Sequence, residues 1–418
     1  MPSTTTLIIG AGHAGLAMSR CLTDRSIDHV ILERGRVANT WRTERWDSLR
    51  LLTPNWQTRL PGWQYAGADP DGYMDMPEVI RYLQGYADSF DAPVQDQTTV
   101  ESVRPMGGGY PGYEVRTDQG TWYARSVVIA SGAASTPDIP DAADGLDGDI
   151  HQLSPIHYRN PSQLPDGGVL VVGASASGIQ LADELNRAGR DVTLAVGSHT
   201  RLPRSYRGMD TQWWLDFAGI LDRHYTDVAD IEQARRAPSL QIVGTPDHRT
   251  LDLATIQAAG VRLTGRLDDC DGTKVGFADD LDRTTGDADR TPARLLNRLD
   301  EAATRGGLNQ ELAAPTRPTV FDAPATPARV DLRSEDIGTV VWATGFRPHY
   351  PWLHTPVFGP DGQIRHDGGI VQDAPGLYVM GLPFMRRRRS TFIDGAGADA
   401  RDLTEHIATH LDRTPLVV

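Results

Sequence analysis

Two glycine-rich segments carry the residue pattern most able to do chemistry. The first is Leu7-Ile8-Ile9-Gly10-Ala11-Gly12-His13-Ala14-Gly15, and the second is Val169-Leu170-Val171-Val172-Gly173-Ala174-Ser175-Ala176-Ser177-Gly178. Each opens with an apolar run that reads as a buried parallel strand. A tight turn follows, then a helix with Leu16, Ala17 and Cys21, or Ile179, Leu181 and Leu185, on one face. In such a turn the first glycine makes the bend, the second lets backbone approach a diphosphate, and the third lets helix and strand pack closely. The diphosphate then rests on the positive helix N-terminus. One such segment is equally an ordinary strand-to-helix turn. Two in strand context point to two dinucleotide sites and to electrons passing between them.

The ends of the second strands separate the two sites. His29-Val30-Ile31-Leu32 runs into Glu33 and Arg34. A carboxylate there accepts hydrogen bonds from ribose hydroxyls and repels a 2′-phosphate, so this site is expected to hold FAD or NAD. In the second unit Asp191 to Val196 leads into Gly197-Ser198-His199-Thr200-Arg201-Leu202-Pro203-Arg204 with no matching acid. Ser198, Arg201 and Arg204 would suit the 2′-phosphate of NADPH, since guanidinium binds phosphate through a planar fork. The alternative for both arginines is a solvated loop charge. Ser175 stands where the strict pattern has glycine, and Ala176 and Ser177 complete that turn.

Length and composition bound the rest. The chain has 418 residues, enough for two or three domains with a substantial core, and 39% hydrophobic residues with 42 Gly and 28 Pro fit a turn-rich α/β protein. A formal charge of −14 argues against general nucleic-acid binding, which relies on neutralising phosphates. Met1 to Thr6 lead directly into the first strand and no long apolar stretch follows, so a soluble cytoplasmic protein without a membrane segment is expected. Cys21 and Cys270 form no Cys-x-x-Cys pair, which excludes a dithiol relay on this chain. Lys274 is the only lysine, so a Walker loop or Schiff-base lysine is not expected, and no His/Cys cluster has metal-ligand spacing.

The elements that must position the two turns can be read coarsely. Residues 1–155 are expected to form the first part of an FAD-binding domain, 166–330 an inserted NADPH-binding domain, and 331–418 the second part of the first. Asn39-Thr40-Trp41-Arg42 and an aromatic, proline-broken region follow the first unit. A helix is expected from about Pro77, then a meander through Val100 to Val103, a Gly107-Gly108-Gly109 turn, Tyr113 to Arg116 and Trp122 to Ala130. The dense Asp, Arg, Thr and Pro of 268–330, with a helix-like stretch from Pro292 to Ala303, reads as a partly mobile cap or long connection. Strands are expected at Ile337 to Phe346 and Leu377 to Gly381, and a closing helix at Asp399 to Leu411.

With these residues in view, the chain resembles the class B flavoprotein monooxygenases over nearly its whole length. The resemblance rests on Gly10, Gly12 and Gly15 with Glu33, on Trp41-Arg42 with Asn39 in place of a glycine, on the second turn from Gly173, and on Ala343-Thr344-Gly345-Phe346. It implies an α/β fold of two Rossmann-like domains of three-layer β/β/α type, the NADPH domain inserted into the FAD domain and hinged at Thr344-Gly345. The implied reaction is hydride transfer from NADPH to FAD, addition of O2 as a C4a-(hydro)peroxide, and oxygenation of a small organic substrate. Asn55 in Thr53-Pro54-Asn55 would then lie near the flavin as a catalytic residue, its other reading being a turn residue after proline. Val100, Ser131-Gly132 and Asp394-Gly395 would be flavin contacts, or plain turns. The family's aromatic-x-Gly…His signature is only approximated by Leu146-Asp147-Gly148 with His151, Ser154 and Tyr158, which lends nothing to the Baeyer–Villiger branch. Rival readings are an NADPH oxidase or reductase of the same fold that releases peroxide, and a non-catalytic flavoprotein sensor. O2 and a small substrate are the expected partners, with a homodimer left open. The Trp213-Trp214 pair reads as pocket wall or core, and Arg386 to Arg389 as a guide for acidic groups or a solvated basic patch.

Overall fold

The structure is a computed structural model that describes residues 2–107 and 111–414. Its main feature is one architecture built twice. In the first sheet the parallel order is Val94–Gln95, His29–Leu32, Ser3–Ile9, Gly120–Ile129, Leu377–Val379. In the second it is Arg262–Thr264, Val192–Ala195, Gly168–Val172, Ile337–Trp342, His151–Leu153. Both sheets therefore follow the same path. The fifth strand comes from late in the chain in one case and from before the second glycine turn in the other.

Each sheet is buried on both faces, which is why its central strands are continuous runs of Val, Ile and Leu. One face of the second sheet presents Val169, Val171, Leu194 and Val341 to Ile179 and Leu185 of the helix Ala176–Arg187. The opposite face presents Leu170, Val172, Val340 and Trp342 to Val275, Phe277 and Val330 of a three-stranded antiparallel sheet, Leu267–Asp271, Lys274–Phe277 and Arg329–Asp331. In the first unit the helices His13–Asp24 and Ile393–Arg413 pack together, and Val100–Pro105, Tyr113–Thr117 and the first half of Gly120–Ile129 form the meander. Helix, parallel sheet and antiparallel sheet make three layers in both units, as the resemblance implied. Gly108 and Gly109 of the expected turn lie outside the described residues.

Local rules explain several boundaries. The helix Met76–Asp88 begins where Asp75 accepts from the Glu78 amide at 2.9 Å, Glu78 reciprocates on the Asp75 amide at 2.9 Å, and Pro77 presets the first turn. The stretch 268–330 is corrected: it contributes one whole strand and most of two others to the antiparallel layer and a 25-residue helix, Leu281–Arg305, that passes through Pro292. Its charge density hid a real apolar face, with Leu296, Leu299 and Ala303 packed on Trp214 and Tyr206. The closing helix starts at Ile393, six residues before the expected Asp399. Sheet pairing also crosses the expected limits of 155 and 330, because His151–Leu153 and Ile337–Trp342 both belong to the second sheet.

Candidate active site

Backbone hydrogen bonds put the two glycine turns in register with each other. Gly10 donates to Leu32 O at 2.8 Å and Gly173 to Ala195 O at 2.9 Å, while Ala130 donates to Ile9 O and Ala343 to Val172 O, both at 2.9 Å. Gly10 and Gly173 have φ of +106° and +104°, and a β-carbon would come 2.6 Å from Ala130 O in one and 2.5 Å from Ala343 O in the other. These two positions need glycine on both counts. A β-carbon on Gly15 or Gly178 would run into the carbonyl of Gly10 or Gly173, so each helix crosses its strand at backbone distance. Gly12 is different: a β-carbon there meets nothing within 4 Å. That free space, over a helix whose first-turn amides have no side-chain cap, is the cradle a diphosphate needs. Ser175 is the matching residue of the second turn and likewise makes no side-chain cap, so its hydroxyl leaves the amides of Ala176 and Ser177 free.

The matched geometry equates Glu33 with Val196. Glu33 is buried, and its carboxylate accepts from Ala11 N at 2.8 Å and Gly35 N at 2.9 Å, which fixes it beside the turn. Val196 is completely buried. The second site therefore lacks the acid for a structural reason, since that position belongs to the core. Ser198, just beyond, is exposed at the edge.

Arg201 and Arg204, expected beside a 2′-phosphate, both have partners within the protein. Arg204 is 1% exposed; it pairs with Asp210, with Nε to Oδ2 at 2.9 Å, donates to Leu52 O at 2.8 Å, and lies over the Tyr73 ring at 4.7 Å. Arg201 is held by Asp289 and by Thr319 O at 2.7 Å. Both guanidiniums are bonded internally. Asn55 is buried and engaged: its Oδ1 accepts from Met74 N and its Nδ2 donates to Asp69 O, both at 2.9 Å, so it staples the 69–74 loop, with one amide hydrogen not used in either bond. The Tyr73 hydroxyl donates to Asp210 at 2.8 Å, so this aromatic segment binds the two units together.

Around the first turn, Ala38 donates to Ala11 O at 3.0 Å, which seats the short helix Asn39–Thr43 with Trp41 packed toward the core and Arg42 Nε on Val37 O at 2.9 Å. Arg34 is exposed and pairs with Glu44. Val100 begins the meander two residues after Thr98, whose amide donates to Glu33 O at 2.9 Å. Asp394 lies in the first turn of the last helix, where Arg59 and Arg389 share its carboxylate. His13, the first helical residue, is neutral: burial pushes its pKa down to about 4, and its Nε2 has no partner among the described residues.

A symmetry invisible to motif reading links Ser131-Gly132 to Thr344-Gly345. Each pair follows the fourth strand of its sheet over the glycine turn, with φ of +90° at Gly132 and +109° at Gly345 and open space at both. Beyond them, Thr136–Pro137 pairs with Phe346–Arg347 as a two-stranded ribbon, Asp138 N donates to Gly345 O at 2.9 Å, and Thr344 Oγ1 donates to Asp138 O at 2.6 Å. The repeated Ala-Ser-Gly and Ala-Thr-Gly were the available signal. Both cysteines are free, and burial pushes both thiols up to about 11. Among the described residues no His, Cys, Asp or Glu cluster suits a metal.

Two dinucleotide turns on duplicated three-layer units define a nucleotide-linked oxidoreductase. The pyridine nucleotide-disulphide oxidoreductase family matches residues 7–215, and the chain belongs to that family. It is 32% identical over 407 residues to the protein named uncharacterized oxidoreductase CzcO-like from Geobacillus kaustophilus, covering 97% of this chain and 98% of that one. The probable indole-3-pyruvate monooxygenase YUCCA1 of Arabidopsis thaliana is 31% identical over 212 residues, 49% of this chain and 50% of that one. The flavin-containing monooxygenase from Stenotrophomonas maltophilia shares the fold, with a TM-score of 0.68 at 20% identity over 98% of this chain and 99% of that one. No helix among the described residues is long and apolar enough to cross a membrane.

Proposed function

We propose that the chain is an NADPH-dependent FAD monooxygenase acting on a small organic substrate in the cytoplasm. The first unit, up to the ribbon at Thr136–Pro137 and again from Phe346–Arg347, would hold FAD, and the unit between the ribbon strands would hold NADPH. The observation that carries this is the pair of glycine turns in one register with Glu33 at one site and buried Val196 at the other. Gly10, Gly12, His13, Ala14 and Gly15 would cradle the FAD diphosphate and Glu33 the ribose. Ser131, Gly132 and Val100 would border the flavin. Gly173, Ser175, Ala176 and Ser177 would take the NADPH diphosphate, and Ser198 stands nearest the 2′-position. The chemistry supplied by the bound cofactors is hydride transfer followed by activation of O2. The protein's own part is to orient the two rings and exclude water. The names of the YUCCA1 and Stenotrophomonas relatives support oxygen transfer.

A second reading, an NADPH oxidase that releases hydrogen peroxide, draws on the engaged Asn55 amide and on Tyr158, whose hydroxyl is spent on Glu184 at 3.1 Å. The test is to measure bound flavin in the purified protein, then NADPH and O2 consumption against peroxide release over a panel of amines, sulfides, ketones and 2-oxo acids. Substrate-dependent NADPH use without matching peroxide supports the monooxygenase. Stoichiometric peroxide with every compound supports the oxidase, and absence of bound or bindable FAD overturns both.

A further inference from the structure

The second glycine turn is held by a side chain that no motif includes. In the first unit Ala38 N donates to Ala11 O at 3.0 Å, so the carbonyl after the bend glycine is fixed by a backbone amide. The equivalent carbonyl of the second turn, Ala174 O, accepts from Gln241 Nε2. Gln241 belongs to Leu240–Gln241, a short strand that runs parallel to Thr200–Arg201 and touches the helix Ala176–Arg187. Beyond it Ile242 and Val243 are buried and Gly244 lies tight against Leu51 O, so the backbone that carries the amide is fixed. Gln241 is 1% exposed, and its Oε1 has no partner among the described residues. An apolar side chain in its place would carry no such desolvation cost, so packing alone does not account for a glutamine there.

A trans peptide points its C=O and N–H in opposite directions. A donor on Ala174 O therefore turns the Ser175 amide the other way, toward the uncapped helix N-terminus where a diphosphate would rest. Among the described residues the Ser175 amide, like that of Gly12, has no protein acceptor. We propose that Gln241 is the positioning residue of the nicotinamide dinucleotide site: its Nε2 holds the Ala174 carbonyl and so aims the Ser175 amide at the dinucleotide diphosphate. A donor oriented in advance raises affinity, because binding no longer bears the cost of orienting it. The backbone amide of Ala38 acts in the same way on Gly12 at the other turn. There the donor follows the second strand by a few residues. Here the chain makes a long excursion after Val192–Ala195 before it returns with Gln241, so no short spacing announces the contact. This role rests on the NADPH reading of the second unit and is independent of oxygen transfer.

Isothermal titration of the full-length flavoprotein with NADP+ tests this on the native chain, Gln241→Leu and Gln241→Glu, with each variant compared with native at the same pH. Gln241→Leu removes the donor and should weaken NADP+ binding roughly tenfold at every pH, the loss of one oriented hydrogen bond. Gln241→Glu keeps nearly the same shape, and burial raises its carboxyl pKa. Protonated, it donates to Ala174 O and should bind within about twofold of native at about pH 6; ionised, it turns an anion on that carbonyl and should fall roughly tenfold or more behind native at about pH 9. FAD content should match native in both variants, because the first turn is untouched. Thermal unfolding at each pH verifies folding, and if Gln241→Leu does not fold, the pH dependence of Gln241→Glu decides alone. NADP+ affinity equal to native in the folded variants at both pH values would overturn the role of Gln241. A native protein that does not bind NADP+ saturably would overturn the NADPH reading of the second unit, and this role with it.

Discussion

Replacing Arg204 by alanine should damage the fold and leave nucleotide preference untouched. Arg204 is 1% exposed and its partner Asp210 retains 18% side-chain exposure. Breaking a buried pair from one side costs about 3–5 kcal/mol, because the remaining charge is stranded. Here Asp210 keeps the Tyr73 hydroxyl at 2.8 Å and the Gln212 amide at 2.7 Å, which favours the lower end of that range. The carbonyls of Leu52 and Val243 lose a donor in addition. With about 3 kcal/mol and a shift of about 2–4 °C per kcal/mol for a cooperative unit of this kind, calorimetry should show Tm lowered by roughly 6–12 °C. Arg204→Met with Asp210→Asn should recover part of that loss, since the stranded charge is removed while Asn keeps an acceptor for the Gln212 amide that caps the next helix. Steady-state kinetics on the folded fraction should return the native ratio of KM for NADPH to KM for NADH. A native Tm with a selective rise in KM for NADPH would refute the reasoning and return Arg204 to the 2′-phosphate.

Three further outcomes follow from the same geometry. Ser198→Glu places an acid at the exposed edge nearest the 2′-position and should raise the NADPH-to-NADH ratio of KM values at least about tenfold, by repulsion of the 2′-phosphate; an unchanged ratio would mean that the phosphate lies elsewhere. Gly345→Val meets open space but forces a side chain to φ +109°, so the variant should retain FAD while stopped-flow reduction by NADPH slows; a normal rate at normal occupancy would remove the hinge role. His13 has a folded pKa of about 4 against 6.5, so the folded state binds fewer protons than the unfolded chain between those values. Its contribution, up to about 3 kcal/mol, is complete above pH 6.5 and is lost as pH falls toward 4. Denaturant unfolding of the apoprotein at pH 7 and pH 4.5 should show a smaller acid loss for His13→Gln than for the native chain, and equal losses would exclude His13 as the source.

The two glycine turns, Glu33 and the strand before Ala343 were legible in the sequence because each obeys a local rule, while the three-layer units and the Thr344-Gly345 crossing followed from the family resemblance. A bend with positive φ demands glycine, a strand buried on both faces demands continuous apolar residues, and both leave their mark at short spacing. What only the tertiary structure decided is where long polar side chains end. Arg201 and Arg204 follow a nucleotide-binding strand and look like phosphate ligands, yet Asp289 and Asp210 claim them. The partner of Arg201 lies far away in sequence, where no local pattern could announce it. Asn55 was spent on backbone groups of the 69–74 loop for the same reason. The acidic, arginine-rich stretch 268–330 concealed one sheet layer and a long helix, because its apolar residues are sparse and find their partners across the fold. A guanidinium or amide can reach any acceptor within its length, and folding chooses that acceptor by desolvation and distance. Backbone conformation is set mainly by near neighbours, and so it could be read from the chain alone.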